Sequence, residues 1–319
     1  MEEEPYPIRM AYIQGANPLL CYANAQDTYN ALNKLDFIVV SDLFMTPTAA
    51  LADIVLPAAS YLEFDSIAVP SNFPMAQVQQ KVAELGECWS DIKILSQLAN
   101  KLGLEQYFWD DAESGLDAIL KPAGLTFDEF RKVGDISGAR KYRSYLENGF
   151  KTPSGKVELH ASQLDQMGFD PLPVYYELPE TPYSDPELAK EYPLILVNLK
   201  LIISKHSSGR QISSLRSAHP EPIVGIHPET AARLGISEGD WVHIETKRGR
   251  IKQKADITTT IDPRVVLADF AWWFPEKGPT DLYGWAESNF NILTENKPPY
   301  SREMGSSNLR GIVCKVYKA

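Results

Sequence analysis

Apolar and polar positions follow three different rhythms along this chain. Near its start, Ile8-Arg-Met-Ala-Tyr-Ile13 reads as a first apolar strand, and Phe37 to Val40 is a continuous apolar run. Such runs suit strands buried on both faces of a parallel sheet. A third, Asp53-Ile-Val-Leu-Pro57, is stopped by its proline. Gln14-Gly-Ala-Asn-Pro18 breaks the first run, and residues from about Asn24 to Lys34 are compatible with a helix. Strands alternating with helices predict a doubly wound α/β unit, though three strands make only part of one. A further helix is expected from Ser90 or Asp91 to about Leu102. Its face would be Ile92, Leu95, Ala99 and Leu102, and Gly103 would stop it. Residues 104–190 carry no steady period, and the acidic, proline-rich run Pro171–Pro186 reads as an exposed connector.

From Leu194-Ile-Leu-Val197 onward the rhythm becomes that of strands. The clearest stretch is Gly225 to Ile251. Pro228 suits the first turn of a short helix and Gly235 the left-handed residue that ends it. Gly239-Asp240 and Arg248-Gly249 are turns. Between them Val242, Ile244 and Thr246 alternate with polar or amphipathic neighbours, as in a half-buried strand. The pattern therefore predicts α/β followed by β: a partial α/β segment over 1–105, a connecting segment over 106–190 and a β-rich domain over 191–319.

Composition narrows the function. With 31 basic against 42 acidic residues the formal charge is −11, and no basic run offers the counterion-releasing surface that nucleic acids need. No apolar run reaches the roughly 18 residues that cross a bilayer. The opening Met-Glu-Glu-Glu-Pro has neither the basic nor the apolar region of a signal peptide. A soluble chain is expected, with cytoplasm and periplasm both open. The three cysteines, Cys21, Cys88 and Cys314, lie far apart. They form no C-x-x-C pair, which excludes a standard zinc or four-cysteine iron–sulfur site within this chain. Buried free thiols are expected, and no metal-ligand set is visible.

Candidate chemistry sits at strand ends. Gln14-Gly-Ala-Asn-Pro18 follows the first strand at its carboxyl end, where open α/β sheets bind ligands. Gly15 would permit close backbone approach, and the Asn17 amide both donates and accepts. Ser41-Asp42 ends the second strand, where a carboxylate can accept two N–H groups from a guanine edge or cap a helix. Asn198 to Arg210 follows the first strand of the β-rich part. Its hydroxyls, histidine, glycine and cations suit a pyrophosphate or a polar heterocycle edge. Arg210 and Arg216 are anion-binding candidates or solvated arginines. Six aromatic residues between Trp272 and Phe290, with Asn289 and Asn291, suit either a core or a planar ligand with polar edges. Ser154-Gly-Lys156 is not a phosphate loop: Gly149 is one residue too far upstream, and Val157 stands where a Ser or Thr would hold magnesium.

Taken in order, these segments resemble one family. His227-Pro to Gly249 is similar to the C-terminal cofactor-binding domain of the molybdopterin oxidoreductases. That family holds the molybdenum or tungsten bis-pterin guanine dinucleotide enzymes typified by dimethyl sulfoxide reductase, formate dehydrogenase and nitrate reductase. Tyr12-Ile-Gln-Gly-Ala-Asn-Pro18, Val39-Val-Ser-Asp-Leu-Phe-Met-Thr-Pro-Thr-Ala49 and Ala52-Asp-Ile-Val-Leu-Pro-Ala58 resemble its last dinucleotide-binding segment. Thr152-Pro-Ser-Gly-Lys-Val-Glu158 resembles its lead into the barrel. The resemblance implies a double-psi β-barrel over 191–319. It implies that Asn17, Ser41 and Asp42 contact one guanine dinucleotide, with Glu63 close by. His206 and Ser207 match the last pair of the family's barrel loop, while Asn198-Leu-Lys200 departs from its first three residues. Lys200 and Arg210 complete that loop's polar set. Asn289-Phe-Asn291 resembles the late pterin-contact motif, and Arg310 falls where a cationic contact is usual. Phe64 and Ser66–Asn72 depart from the family pattern. The Trp272–Glu276 and Glu287–Thr294 segments are most similar to a branch with acetylene hydratase-like and related anaerobic enzymes.

No general base, nucleophile or metal ligand of the family falls within these residues. The expectation is a C-terminal part of a larger catalytic subunit. It would hold molybdopterin guanine dinucleotide (molybdenum or tungsten) only when completed, bind none stably by itself, and be inactive alone. The remainder of that subunit, and an iron–sulfur electron-transfer subunit, are the implied partners. A stand-alone double-psi barrel adaptor binding a protein or peptide is the alternative, and would show an exposed apolar groove in place of polar loops.

Overall fold

The computed structural model describes residues 6–70, 73–139, 141–297 and 305–319. The last two residues of the divergent run Ser66–Asn72 lie outside the described residues. The chain opens with β1 (Met10–Gln14), α1 (Pro18–Cys21), α2 (Ala25–Leu32), β2 (Phe37–Asp42) and β3 (Ile54–Pro57). The three strands form a parallel sheet in the order β1-β2-β3, with Met10 opposite Phe37 and Val39 opposite Ile54. Ile38, Val40, Leu32 and Ala49 form its core. Beyond β1 no further strand pairs among the described residues, and Tyr6, Ile8 and Met10 are 68%, 68% and 57% exposed.

A second, antiparallel sheet joins β4 (Ser66–Ala68), β5 (Met75–Gln79) and, after α3 (Asp91–Lys101), α4 (Ala112–Leu120) and α5 (Phe127–Val133), β6 (Asp135–Ser137). Ser90 caps α3 by accepting the Lys93 N–H. The expected face of α3 is turned, however. Ile94 and Ala99 are buried, Ile92 and Leu95 half-buried, and Leu102 is 63% exposed. The region beyond residue 104 also carries more structure than its weak periodicity suggested. Asp111 and Thr126 each close a capping box at the head of α4 and α5. Leu116, Leu120, Phe127 and Phe130 then pack on Ile67, Ala76, Val78 and Ile136. Short helices and three-residue strands give too few repeats for a period to show.

After α6 (Tyr145–Asn148), α7 (Ser162–Gln166) and α8 (Pro186–Glu191) comes the β-rich part: β7 (Leu194–Leu199), α9 (Ser213–Ala218), β8 (Ile223–Ile226), α10 (Pro228–Leu234), β9 (Trp241–Thr246), β10 (Gly249–Ile257), β11 (Val265–Asp269) and β12 (Ile312–Lys318). The six strands close into a barrel in the order β10-β8-β11-β7-β12-β9. Two pairs, β7–β11 and β8–β10, are parallel and the rest antiparallel. This is the α/β unit followed by a closed six-stranded barrel that the pattern and the resemblance implied. Pro228 opens α10, and Gly235 ends it at φ 66°. Val242, Ile244 and Thr246 point inward, as their alternation required.

The barrel core does not stop at the barrel. Leu19, Leu20 and Ala25 from α1 and α2 belong to the same buried cluster as Leu196, Ile226, Ile244 and Val266. Tyr29 of α2 stacks on Trp285 with ring centroids 5.2 Å apart. The connector is held too. Glu180 takes a two-pronged ion pair from Arg248 in the β9–β10 turn, one N–O distance being 2.8 Å.

Candidate cofactor-binding cradle

The loop after β1 and the loop after β7 meet. Asn17, buried at the head of α1, donates its amide to Ser207 Oγ at 3.1 Å and accepts the Thr48 hydroxyl at 2.6 Å. Thr48 in turn accepts the Leu19 N–H at 3.2 Å. The Ser207 carbonyl accepts the Trp273 indole N–H at 2.7 Å. Gly15, at φ 55°, makes the turn that brings its own N–H onto the Ser41 carbonyl. Asn17 and Ser207 were each picked from the sequence, and the structure brings them together across 190 positions. Thr48 was not picked; its only signal was its place in the Met45-Thr-Pro-Thr-Ala49 run. Cys21 lies 3.6 Å from Ser207 Oγ, and burial pushes its thiol pKa up.

Ser41 and Asp42 close β2 at the same end of the sheet. Ser41 is fully buried, with its hydroxyl beside that of Tyr12. Asp42 is half-buried. Burial raises its pKa, the Phe44 and Leu43 N–H groups oppose this, and Asp91 adds to the rise. Glu63 does not join this group. Its carboxylate accepts the N–H groups of Ser60 at 2.8 Å and Leu85 at 3.2 Å, and the Ser60 N–H holds its pKa low. It builds a turn.

The barrel loop supplies the cations. Arg210 is only 5% exposed. Its guanidinium lies 4.5 Å from the Trp272 ring and reaches the Phe270 carbonyl at 3.5 Å, yet its Nε has no partner. No carboxylate forms a salt bridge with it among the described residues. Burial pushes its pKa down, and the charge of Asp269 pulls it back. Arg216 sits 4.6 Å from the same ring and pairs with Glu276 at 2.8 Å, leaving Nη1 buried and unpaired. The Trp272 indole N–H is also buried without a partner. Lys200, exposed, lies over the Phe270 ring at 5.2 Å, and His206, exposed, stands edge-on to it at 5.9 Å. Asn198 is buried; it donates to the Leu309 carbonyl at 3.3 Å, and its own oxygen is unpaired. His206 and the fully buried Ala271 hold left-handed φ angles of 52° and 51°. Strain of this kind in non-glycine residues gathers at functional sites.

Two sequence candidates have different surroundings. Asn289 and Asn291 are fully buried, and their amides donate to the carbonyls of Leu19 at 3.3 Å and Leu20 at 2.7 Å. They join the barrel to α1, and their donors face protein. Arg310 is exposed, one residue after the carbonyl that Asn198 holds. Its backbone N–H rests on Asn308 Oδ1 at 3.2 Å. Among the described residues no group of three or more His, Cys, Asp or Glu is placed to hold a metal ion. No helix among them is long and apolar enough to cross a membrane.

What gathers at this joint is a set of buried polar atoms awaiting partners, with cations in excess. Leaving such groups unpaired costs about 1–3 kcal/mol each, so the arrangement fits a polar, anionic ligand.

A family model described as molybdopterin oxidoreductase matches residues 2–101, and one described as molydopterin dinucleotide binding domain matches residues 194–308. Acetylene hydratase of Syntrophotalea acetylenica is 36% identical over 99% of this chain and 45% of its own length. The alpha subunit of the F420-dependent formate dehydrogenase of Methanocaldococcus jannaschii is 32% identical over 92% of this chain and 41% of its own. A dimethyl sulfoxide reductase of Escherichia coli is 31% identical over 92% and 40%. The solved structure of acetylene hydratase from Pelobacter acetylenicus superposes on the whole chain with a TM-score of 0.92 at 36% identity, covering 45% of that structure. The chain thus spans less than half the length of these relatives.

Proposed function

Since this chain belongs to the molybdopterin oxidoreductases of the dimethyl sulfoxide reductase family, we propose that it is the part of a molybdenum or tungsten enzyme that grips the guanine dinucleotide tails of the pterin cofactor. The observation that carries this is Arg210: a guanidinium 5% exposed, without a carboxylate partner, where the sheet loop meets the barrel loop. A buried charge is tolerated when something pairs with it, and a pyrophosphate is such a partner. Arg216, Lys200, His206 and the Asn198 oxygen would line the same anion. At the sheet end, Asp42 would accept the guanine N–H edge, with the buried Ser41 hydroxyl beside it. Asn17, Ser207, Asn289 and Asn291 frame the cradle by tying α1 to the barrel. Arg310 would approach from the barrel rim. When bound, the cofactor supplies the metal centre and its chemistry. This chain's residues hold and orient its tails.

On this reading the rest of the catalytic subunit brings the metal ligand and the substrate pocket, with an iron–sulfur subunit as the electron partner. The adaptor alternative finds polar loops where it needs an apolar groove. The test is calorimetric titration of the purified chain with guanosine diphosphate. Saturable binding that Asp42→Ala weakens at least about tenfold, the loss of roughly one charge-assisted pair, supports the reading. Saturable binding indifferent to Asp42→Ala sinks it.

A further inference from the structure

Behind the arginines lies a buried acid that nothing above employs. Asp269 ends β11 and is fully buried. Its backbone is gripped from within the barrel by Gln253, which accepts its N–H at 3.0 Å and donates to its carbonyl at 3.1 Å. Its carboxylate Oδ2 accepts the Ile223 N–H at 3.0 Å and meets His219 Nε2 at 2.6 Å. A carboxylate only accepts, so that contact fixes the imidazole proton on Nε2. Oδ1 is buried with no partner.

His219 closes α9, the helix that carries Arg216. Its ring stands edge-on to Trp272, centroids 5.3 Å apart, and Trp272 is the ring against which both arginines lie. A continuous chain of contacts therefore runs from the barrel interior through Asp269, His219 and Trp272 to Arg210 and Arg216. Packing alone does not call for it, because an apolar pair would fill the space without desolvating a charge.

We propose that Asp269 and His219 are positioning residues for the anion-binding wall. Asp269 makes no salt bridge with Arg210 and acts on it through His219 and Trp272. Through His219 it fixes Trp272 and the end of α9, so that Arg210 and Arg216 keep their free donors turned to the ligand. The proposal rests on the reading that Arg210 faces the anionic tail, and deepens it.

The probe is inorganic pyrophosphate, which lacks the guanine that Asp42 would bind, titrated calorimetrically into the purified chain. Asp269→Asn and His219→Gln are each expected to weaken binding roughly tenfold, and Arg210→Gln at least as much. The double variant Asp269→Asn/Arg210→Gln is expected to lose less than the sum of the two single losses, because part of the Asp269 effect passes through Arg210. A merely structural acid would lower the melting temperature but leave the two effects additive. Additive effects, wild-type affinity in both single variants, or no pyrophosphate binding by the wild-type chain would each overturn the proposal. If Asp269→Asn fails to fold, His219→Gln carries the test, since that side chain lies at the barrel's outer rim, 13% exposed. Loss of the Asp42 dependence of guanosine diphosphate binding, with the Asp269 effect on pyrophosphate intact, would sink the guanine reading alone.

Discussion

Asn17 commits both ends of its amide, one to Ser207 and one to Thr48. Replacing it with alanine removes two buried hydrogen bonds and leaves the Thr48 hydroxyl without its acceptor. Asn17→Ala is therefore expected to cost about 2–4 kcal/mol, read as a lower urea midpoint with an unchanged slope. Asp42 makes a different prediction, because burial raises its pKa. A group whose folded pKa is raised takes up its proton early as pH falls. Guanosine diphosphate needs the ionised carboxylate as acceptor, so its affinity should fall on acidification from above the ordinary aspartate value of about 3.9. A titration series in pH checks this, and an affinity flat down to that value would contradict the assignment. At this scale the sequence was partly legible. Asn17, Ser41, Asp42 and Arg210 stood out by type and by place at strand ends. Thr48, His219 and Asp269 did not, because an isolated threonine, histidine or aspartate carries no signal until the fold sets it beside its partner.

Elements were legible where their period was long. The sheet strands, α3 and the β9–β10 hairpin all lie where the pattern put them. The turned face of α3 shows the limit: a stripe of apolar positions says that a face exists, while the neighbour that covers it is chosen elsewhere in the chain. The connector shows another, since its hold is ionic. Arg248 and Glu180, 13% and 12% exposed, clamp it to the β9–β10 turn, and Arg248 also reaches Glu295 at 3.2 Å. Burial opposes ionisation of Glu180, but Arg248 and Lys247 outweigh it and hold its pKa low. A depressed carboxylate pKa contributes stability above the unfolded value, about 4.3 for glutamate. That contribution disappears as pH falls through the lower folded value. Arg248→Ala is expected to cost about 2–3 kcal/mol at neutral pH, less in strong acid, and to open the 171–186 run to limited proteolysis.

Taken whole, the parallel sheet and the barrel share one core at α1, with the candidate cradle at their joint. Among the described residues no strand pairs with the outer edge of β1, Tyr6, Ile8 and Met10 beside it are exposed, and an unpaired apolar edge recruits other strands. Sedimentation velocity should show association that grows with concentration, and Met10→Lys should reduce it; a strictly monomeric wild-type chain would count against this. Fold class was readable because strand rhythm and barrel motifs are local in sequence. The joint was not, because the contacts that tie α1 to the barrel span 190 to 271 positions. The same non-local wiring governs how the barrel forms in time. β12 is the latest strand in chain order, yet it is an inner stave, paired with β7 on one side and β9 on the other. During synthesis β7 and β9 must wait with open flanks until residues 312–318 have emerged. Closure is then a late, slow event, and the interval before it is when a nascent chain needs a chaperone most.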